Sequence, residues 1–276
     1  MRVVVCVKHV PDIQSARSFR PDGLLARGGE DDTLNELDED ALEAGLRLVE
    51  AHPPAEGAPP HDVTVLTVGP AAAVDALRRG LAMGATTAVH VADEAVAGSD
   101  ALATARVLAA AVRHLHAQEP VDVVVAGMAG LDGLTSLVPA ALAAELDWPQ
   151  LTLVDRVDVA DGPDGRTVSV RRETSADVEE LTAPAPVVLS VTDQAFRARF
   201  PAFKGILAAR KAPVTVLDLA ALGVDGASVG LDGSTTRVLE AAPRPQRPGR
   251  VVVTDTADTD AVVRDLADYL AAKGFA

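Results

Sequence analysis

The sequence predicts an α/β fold built on a doubly wound, mostly parallel sheet. Three observations lead there. Short Val-rich runs at residues 2–7, 63–68, 87–91 and 122–126 alternate with longer stretches whose apolar residues recur at spacings of three and four. The 48% hydrophobic content is carried by Ala, Val and Leu with aromatics at only 3%, which suits helices packed closely on a buried parallel sheet. A length of 276 residues gives room for one or two domains.

Each element follows from its local pattern. The four runs are too short and too apolar for half-exposed strands, so each reads as a strand covered on both faces. Residues 38–50, 71–82, 99–116 and 135–146 read as the intervening helices. After Pro149 the texture changes. Residues 151–160 and 167–172 flank the turn Asp161-Gly162-Pro163-Asp164-Gly165 as a hairpin, and 187–192 comes next as another strand; these strands are expected to extend or edge the sheet. Residues 53–60 read as a surface loop. The α/β domain is expected to run over 1–241, with 242–276 as a linker and C-terminal arm. The linker APRPQRPGR cannot be helical, and the arm holds a short strand at 251–254 and a helix with Val262, Leu266, Tyr269 and Leu270 on one face. That stripe packs either on its own domain or on a partner; the pattern fits both.

Charge and cysteine content exclude several classes. Lys plus Arg is 25 and Asp plus Glu is 40, and the net charge of −15 repels nucleic acid and anionic membrane surfaces. No apolar run approaches a membrane span or a signal-peptide core, so the expected location is cytoplasmic, without direct membrane insertion. Cys6 is the only cysteine, which rules out an internal disulfide, a CxxC pair and a cysteine cage for a metal. There is no GxGxxG after a strand, no GxxxxGK[ST], no GxSxG and no HExxH. His114 and His116 lie about 200° apart on a helix and cannot share a metal, so both are expected as solvated surface residues.

Two segments carry chemistry. Residues 126–136, AGMAGLDGLTS, join the end of a strand to the start of a helix. Gly127, Gly130 and Gly133 permit close backbone approach, while Thr135 and Ser136 offer hydroxyls beside helix N–H groups. The loop is either an anion site or a tight turn capped by those hydroxyls. Asn35, Asp38 and Glu39 precede a helix at the same sheet edge, where capping is the simpler reading. Residues 194–213, QAFRARFPAFKGILAARKAP, carry Arg197, Arg199, Lys204, Arg210 and Lys211 and no acid, with Phe196, Phe200 and Phe203 among them. A basic segment with aromatic anchors has the composition of a protein docking surface, although the same phenylalanines also suit a core with a charged rim.

Several blocks, in order along nearly the whole chain, resemble the β subunits of electron transfer flavoproteins. Val7-Lys8-His9-Val10-Pro11-Asp12 looks like the family's V-K-x-V-P-D, residues 34–39 like its N-x-x-D-E turn, and Met83-Gly84-Ala85 comes after the second helix as it does in the family. Residues 126–139 resemble the nucleotide loop G-x-x-A-x-D-G-x-T-x-x-V-P, with Gly130 where the pattern has Ala; Asp147-Trp148-Pro149-Gln150 resembles x-x-P-Q; and residues 199–207, RFPAFKGIL, resemble the recognition loop R-[FY]-P-S-[LF]-K-G-I-M. Phe196-Arg197-Ala198-Arg199 departs from the common N-E-P-R, and Leu134, Ser136 and Leu137 depart from the loop residues usual in relatives.

The resemblance implies a flavodoxin-like domain in a heterodimer whose α subunit holds the redox-active FAD, with AMP bound structurally here. It assigns AMP to Cys6, Asn35, Asp38, Val68, Gly127, Met128, Gly130, Leu131, Asp132, Gly133, Leu134, Thr135, Ser136 and Val138. It assigns partner docking to Arg199, Phe200, Phe203, Lys204, Gly205, Ile206, Leu207 and Lys211, Phe203 being the anchor. The function implied is a redox carrier without bond-making catalysis, moving electrons from flavin dehydrogenases such as acyl-CoA dehydrogenases towards a quinone-linked oxidoreductase. Two alternatives stand beside it: a standalone adenine-nucleotide-binding regulatory module, and a bifurcating relative with a second FAD in this subunit.

Overall fold

Apolar strands that need cover on both faces set the architecture. The computed structural model describes residues 1–54, 56–57, 59–163, 165–245 and 258–275, in two compact units, Met1–Ala241 and Ala242–Ala276. In the first unit β1 (Arg2–Cys6), β4 (Asp62–Val68), β5 (Thr87–Val91), β6 (Val123–Gly127), β7 (Gln150–Val154), β11 (Val187–Val191) and β12 (Thr215–Leu217) form one seven-stranded sheet. Its order is β12-β5-β4-β1-β6-β11-β7, and every pairing is parallel. Short strands β2 (His9–Pro11) and β3 (Asp32–Leu34) pair separately.

Side chains alternate across each strand. Val3, Val5, Val63 and Val65 therefore face α1 (Glu36–Ala51) and α2 (Val74–Met83), packing with Leu42, Leu46, Leu77 and Leu81. Val4, Cys6, Leu66 and Val124 face the other way, against Val107 and Val112 of α3 (Ala101–Gln118) and Leu142 of α4 (Val138–Leu146). The chain winds outward from β1 to β4 and β5, then returns to β6 on the far side of β1. The crevice beyond the carboxyl ends of β1 and β6 is thus the switch point at which ligands bind in such sheets.

The doubly wound sheet agrees with the expectation, and three details correct it. The stretch 151–160 is two strands: Leu153 takes a left-handed conformation (φ 58°), and its N–H reaches Ser190 Oγ at 2.9 Å. That turn sends the chain out of the parallel sheet into β8 (Arg156–Gly162), where Arg171 holds Asp155 at 2.5 Å. β8, β9 (Gly165–Glu173) and an unanticipated β10 (Val178–Pro184) make an antiparallel sheet of their own, so they neither extend nor edge the main one. Its Val159, Val168 and Val170 pack into the core on the α1 side. Third, α4 starts at Val138 and not at 135, because Leu134 (φ 50°) and Ser136 (φ 51°) are left-handed and Pro139, which has no N–H, fits only a first turn.

α5 (Phe203–Ala209) and the four-residue α6 (Gly230–Gly233) complete the first unit. The described residues of 53–60 are exposed, as a surface loop requires. In the second unit α7 (Thr259–Ala272) is capped by Asp258, whose side chain accepts from the Ala261 N–H, and it has no buried residue. The strand expected at 251–254 lies outside the described residues.

Candidate functional site

The glycine-rich loop leaves β6 at the switch point and is held by the start of α1. Asn35 is fully buried, yet it makes no capping bond. Its Nδ2 donates to the Ala129 carbonyl at 2.9 Å, and its Oδ1 accepts from the Leu131 N–H at 3.0 Å. Asp38, 6% exposed, accepts from the Lys8 N–H at 2.9 Å. Glu39 pairs with Arg79 at 2.8 Å. Capping, the simpler expectation for these residues, is therefore replaced by ties to the loop, to the end of β1 and to α2. Both Asn35 and Asp38 are turned to the protein itself.

The loop glycines divide by environment. A Cβ on Gly127 would lie 2.6 Å from the Leu37 carbonyl and 2.5 Å from Asp38 Oδ1, so this glycine admits α1 against the strand end. Gly133 has open space where its Cβ would be. Gly133, Leu134, Thr135 and Ser136 are exposed, Met128, Gly130, Leu131 and Val138 half-buried. Cys6, Val68 and Val138 gather on one face at the sheet's carboxyl edge, from β1, β4 and α4. Above them lie the first-turn N–H groups of α4, which no intrahelical acceptor satisfies. Thr67 Oγ1, at the end of β4, is buried without a partner among the described residues. Open space, free amides and hydroxyls at the switch point fit a bound nucleotide. Thr135 and Ser136 lie in an irregular loop ahead of the helix, and not in its first turn.

Cations to which no motif gave a role surround the loop. Asp132, its side chain fully buried, is paired with Lys8 at 2.8 Å and Arg27 at 2.6 Å, and Arg17 donates to the Leu131 carbonyl at 3.2 Å. Burial would raise the Asp132 carboxyl, but Lys8 and Arg27 hold it below the ordinary range. Lys8 lies in the V-K-x-V-P-D block; Arg17 and Arg27 meet the loop only through folding of the intervening segment, which no local pattern reveals. Asp38 shows the opposite balance: burial pushes it up to about 7, only partly offset by polar contacts to Asn35 and the main chain of Lys8 and Gly127. Burial, with Asp38 second, pushes the Cys6 thiol up to about 12, which makes it a packed apolar group.

The basic segment is split by the structure. Phe196 packs against the core beneath the Arg47 guanidinium, 5.5 Å from the ring centre. Phe200 and Phe203 are 87% and 75% exposed, with Ile206 and Leu207 beside them. Lys204 and Lys211 are exposed, whereas Arg199 is bound by Glu43 at 2.7 Å and Glu50 at 2.6 Å. From Phe203 the segment is a short helix and not a bent loop, seated closely on α2: a Cβ on Gly205 would lie 2.6 Å from the Ala82 carbonyl.

His116 has a structural part. His114 and His116 are half-buried where solvated residues were expected; His116 Nδ1 accepts from the Val121 N–H at 3.1 Å and its ring meets Trp148 at 5.2 Å. This closes the end of α3.

Comparison with known proteins finds matches over most of the chain. The family model described as the electron transfer flavoprotein domain matches residues 22–222. The electron transfer flavoprotein subunit beta of Mycobacterium tuberculosis is 40% identical over 256 residues, 92% of this chain and 92% of that protein. The Megasphaera elsdenii protein of the same name is 34% identical over 96% of each chain. The caffeyl-CoA reductase-Etf complex subunit CarD of Acetobacterium woodii is 31% identical, over 99% of this chain and 97% of its own.

The loop's attachment can be tested at two positions. Gly127→Ala forces α1 off the strand end and should cost about 1–3 kcal/mol in urea unfolding, whereas Gly133→Ala should stay within about 0.5 kcal/mol. Equal effects at the two positions would contradict the packing described. For Asp38, a carboxyl raised in the folded state stabilises most below its unfolded pKa and loses that contribution as pH rises. Wild-type stability should therefore fall between about pH 4 and pH 7 relative to Asp38→Asn, by at most about 1.4 kcal/mol per pH unit. Parallel stability profiles for the two proteins would show that folding does not raise the Asp38 carboxyl.

Proposed function

The chain belongs to the electron transfer flavoprotein family as a β subunit, and on that premise we propose that it is the nucleotide-supporting, partner-docking half of an electron carrier. AMP would be held at the switch point by the loop of residues 127–138, with Cys6 and Val68 against it, while Asn35 and Asp38 keep the loop in place. The α subunit would hold the FAD, which supplies the electron chemistry. Electrons enter from a flavin dehydrogenase of the acyl-CoA dehydrogenase type and leave towards a quinone-linked oxidoreductase. This chain's own residues bind, orient and dock; none acts as acid, base or nucleophile. The carrier would work in the cytoplasm, and no described helix is long and apolar enough to cross a membrane.

The observation that carries this reading is the exposed pair Phe200 and Phe203 with Ile206 and Leu207, rimmed by Lys204 and Lys211 on a chain of net charge −15. Two exposed phenylalanines three positions apart, the second opening a short helix seated against α2, have the character of an aromatic anchor awaiting a pocket. A standalone regulatory module needs no such patch. The apolar face of α7, with Leu266 57% and Tyr269 51% exposed, is the surface proposed for the α subunit.

Phe203→Ala tests the docking role. With the α subunit present and an acyl-CoA dehydrogenase as donor, flavin reduction should weaken about thirtyfold, the equivalent of about 2 kcal/mol for a buried aromatic anchor. Melting temperature and chemical reduction of the flavin should not change. Lys204→Ala should act more mildly and mainly at low salt, where screening is weak. A collapse in melting temperature would assign Phe203 to the core, and unchanged electron transfer would leave the patch without a dehydrogenase to recognise.

A further inference from the structure

Arg199 sits inside the basic segment but is not available to a partner. Its Nε donates to Glu43 Oε2 at 2.7 Å, its backbone N–H reaches the same oxygen at 3.2 Å, and its Nη1 and Nη2 reach the two Glu50 oxygens at 2.6 and 2.9 Å. Glu43 lies on α1 with its side chain only 2% exposed. Arg47, one turn on, donates to it at 2.6 Å and covers Phe196 with the same guanidinium. Burial would raise the Glu43 carboxyl, yet the hydrogen bonds from Arg199 and Arg47 outweigh it and keep the group below its ordinary range. The Arg199 guanidinium is raised in turn, by Glu50 first and Glu43 second.

A buried carboxylate is costly unless paired, and apolar residues would pack a segment as firmly with less desolvation. What a bidentate clamp adds is geometry: a planar guanidinium held by two carboxylates fixes both the backbone position and the direction of the next residues. Those residues are Phe200 to Phe203. Ordering them before an encounter removes the entropy a loose loop would lose on binding. α1 is also the helix whose first turn holds the glycine-rich loop, so one rigid element places both features.

We propose that Glu43, assisted by Glu50, is a positioning residue for partner docking: through Arg199 it fixes residues 197–203 on α1 and presents Phe200 and Phe203 in a pre-ordered arrangement. The inference rests on the docking role proposed above.

The test uses the complete heterodimer, with a purified acyl-CoA dehydrogenase and its acyl-CoA substrate as donor. Glu43→Gln and Arg199→Lys should each raise the KM for the dehydrogenase about tenfold while kcat changes less than twofold, the loss expected of binding alone. Tryptic cleavage after Arg197 and Lys204 should quicken several-fold without general loss of resistance. Adding Glu43→Gln to Phe203→Ala should raise KM little further, because the clamp acts through the anchor. If Phe203→Ala raises KM and the clamp variants do not, the inference falls and the docking reading stands. If Phe203→Ala itself leaves KM unchanged, the docking reading falls and takes the inference with it. Should Glu43→Gln fail to assemble, Glu50→Gln, whose carboxylate is exposed, is expected to raise KM about threefold by the same presentation effect, and an unchanged KM there overturns the proposal.

Discussion

The contact between the first turn of α1 and the carboxyl end of β6 governs the rest of the molecule's useful geometry. Gly127 has no side chain to keep the Leu37 carbonyl and Asp38 at a distance, so the helix start closes on the strand end. Asn35 then satisfies a carbonyl and an N–H of the loop with one buried amide, at Ala129 and Leu131. Those bonds tie residues 129–131 to the start of α1, and residues 133–136 beyond them stay exposed. Farther along the same helix, Glu43 and Glu50 hold Arg199. A single 16-residue helix therefore registers the loop and the exposed phenylalanines to the sheet.

Charge is distributed to the same end. The chain is strongly acidic, but several of its acids are paired internally: Asp132 with Lys8 and Arg27, Glu43 with Arg199 and Arg47, Glu39 with Arg79. The surface around Phe203 is left apolar, with Lys204 and Lys211 at its edge. A locally basic, apolar face on an acidic protein is the charge arrangement that would favour one orientation in an encounter, as the proposed docking role requires.

Much of this was legible in the sequence where the determinants are local. The alternation of Val-rich runs with three-and-four periodicity identified the parallel sheet, because strands covered on both faces have no polar phase. The glycines of 126–136 and the acid-free 194–213 segment stood out by composition. The features that escaped are non-local. Leu153 breaks a seemingly continuous strand because Ser190 and Arg171, distant in sequence, bind the backbone of Leu153 and the side chain of Asp155. Asn35, whose residue type suits a cap, is drawn instead to a loop more than ninety positions away. Arg199 reads as a docking charge until Glu43 is found beside it, and Thr135 reads as the start of a helix because left-handed turns at Leu134 and Ser136 have no glycine to announce them.

If this subunit supports one adenine nucleotide at the switch point while its partner holds the flavin, cofactor content is the most direct measurement. The chain would be purified alone and with its α subunit, bound ligands released by heat, and adenine nucleotide and flavin quantified per polypeptide. One AMP and almost no flavin are expected on the isolated chain, and one AMP with one FAD on the pair. Two FAD per pair with no AMP, or a stoichiometrically yellow single chain, would contradict that division of labour.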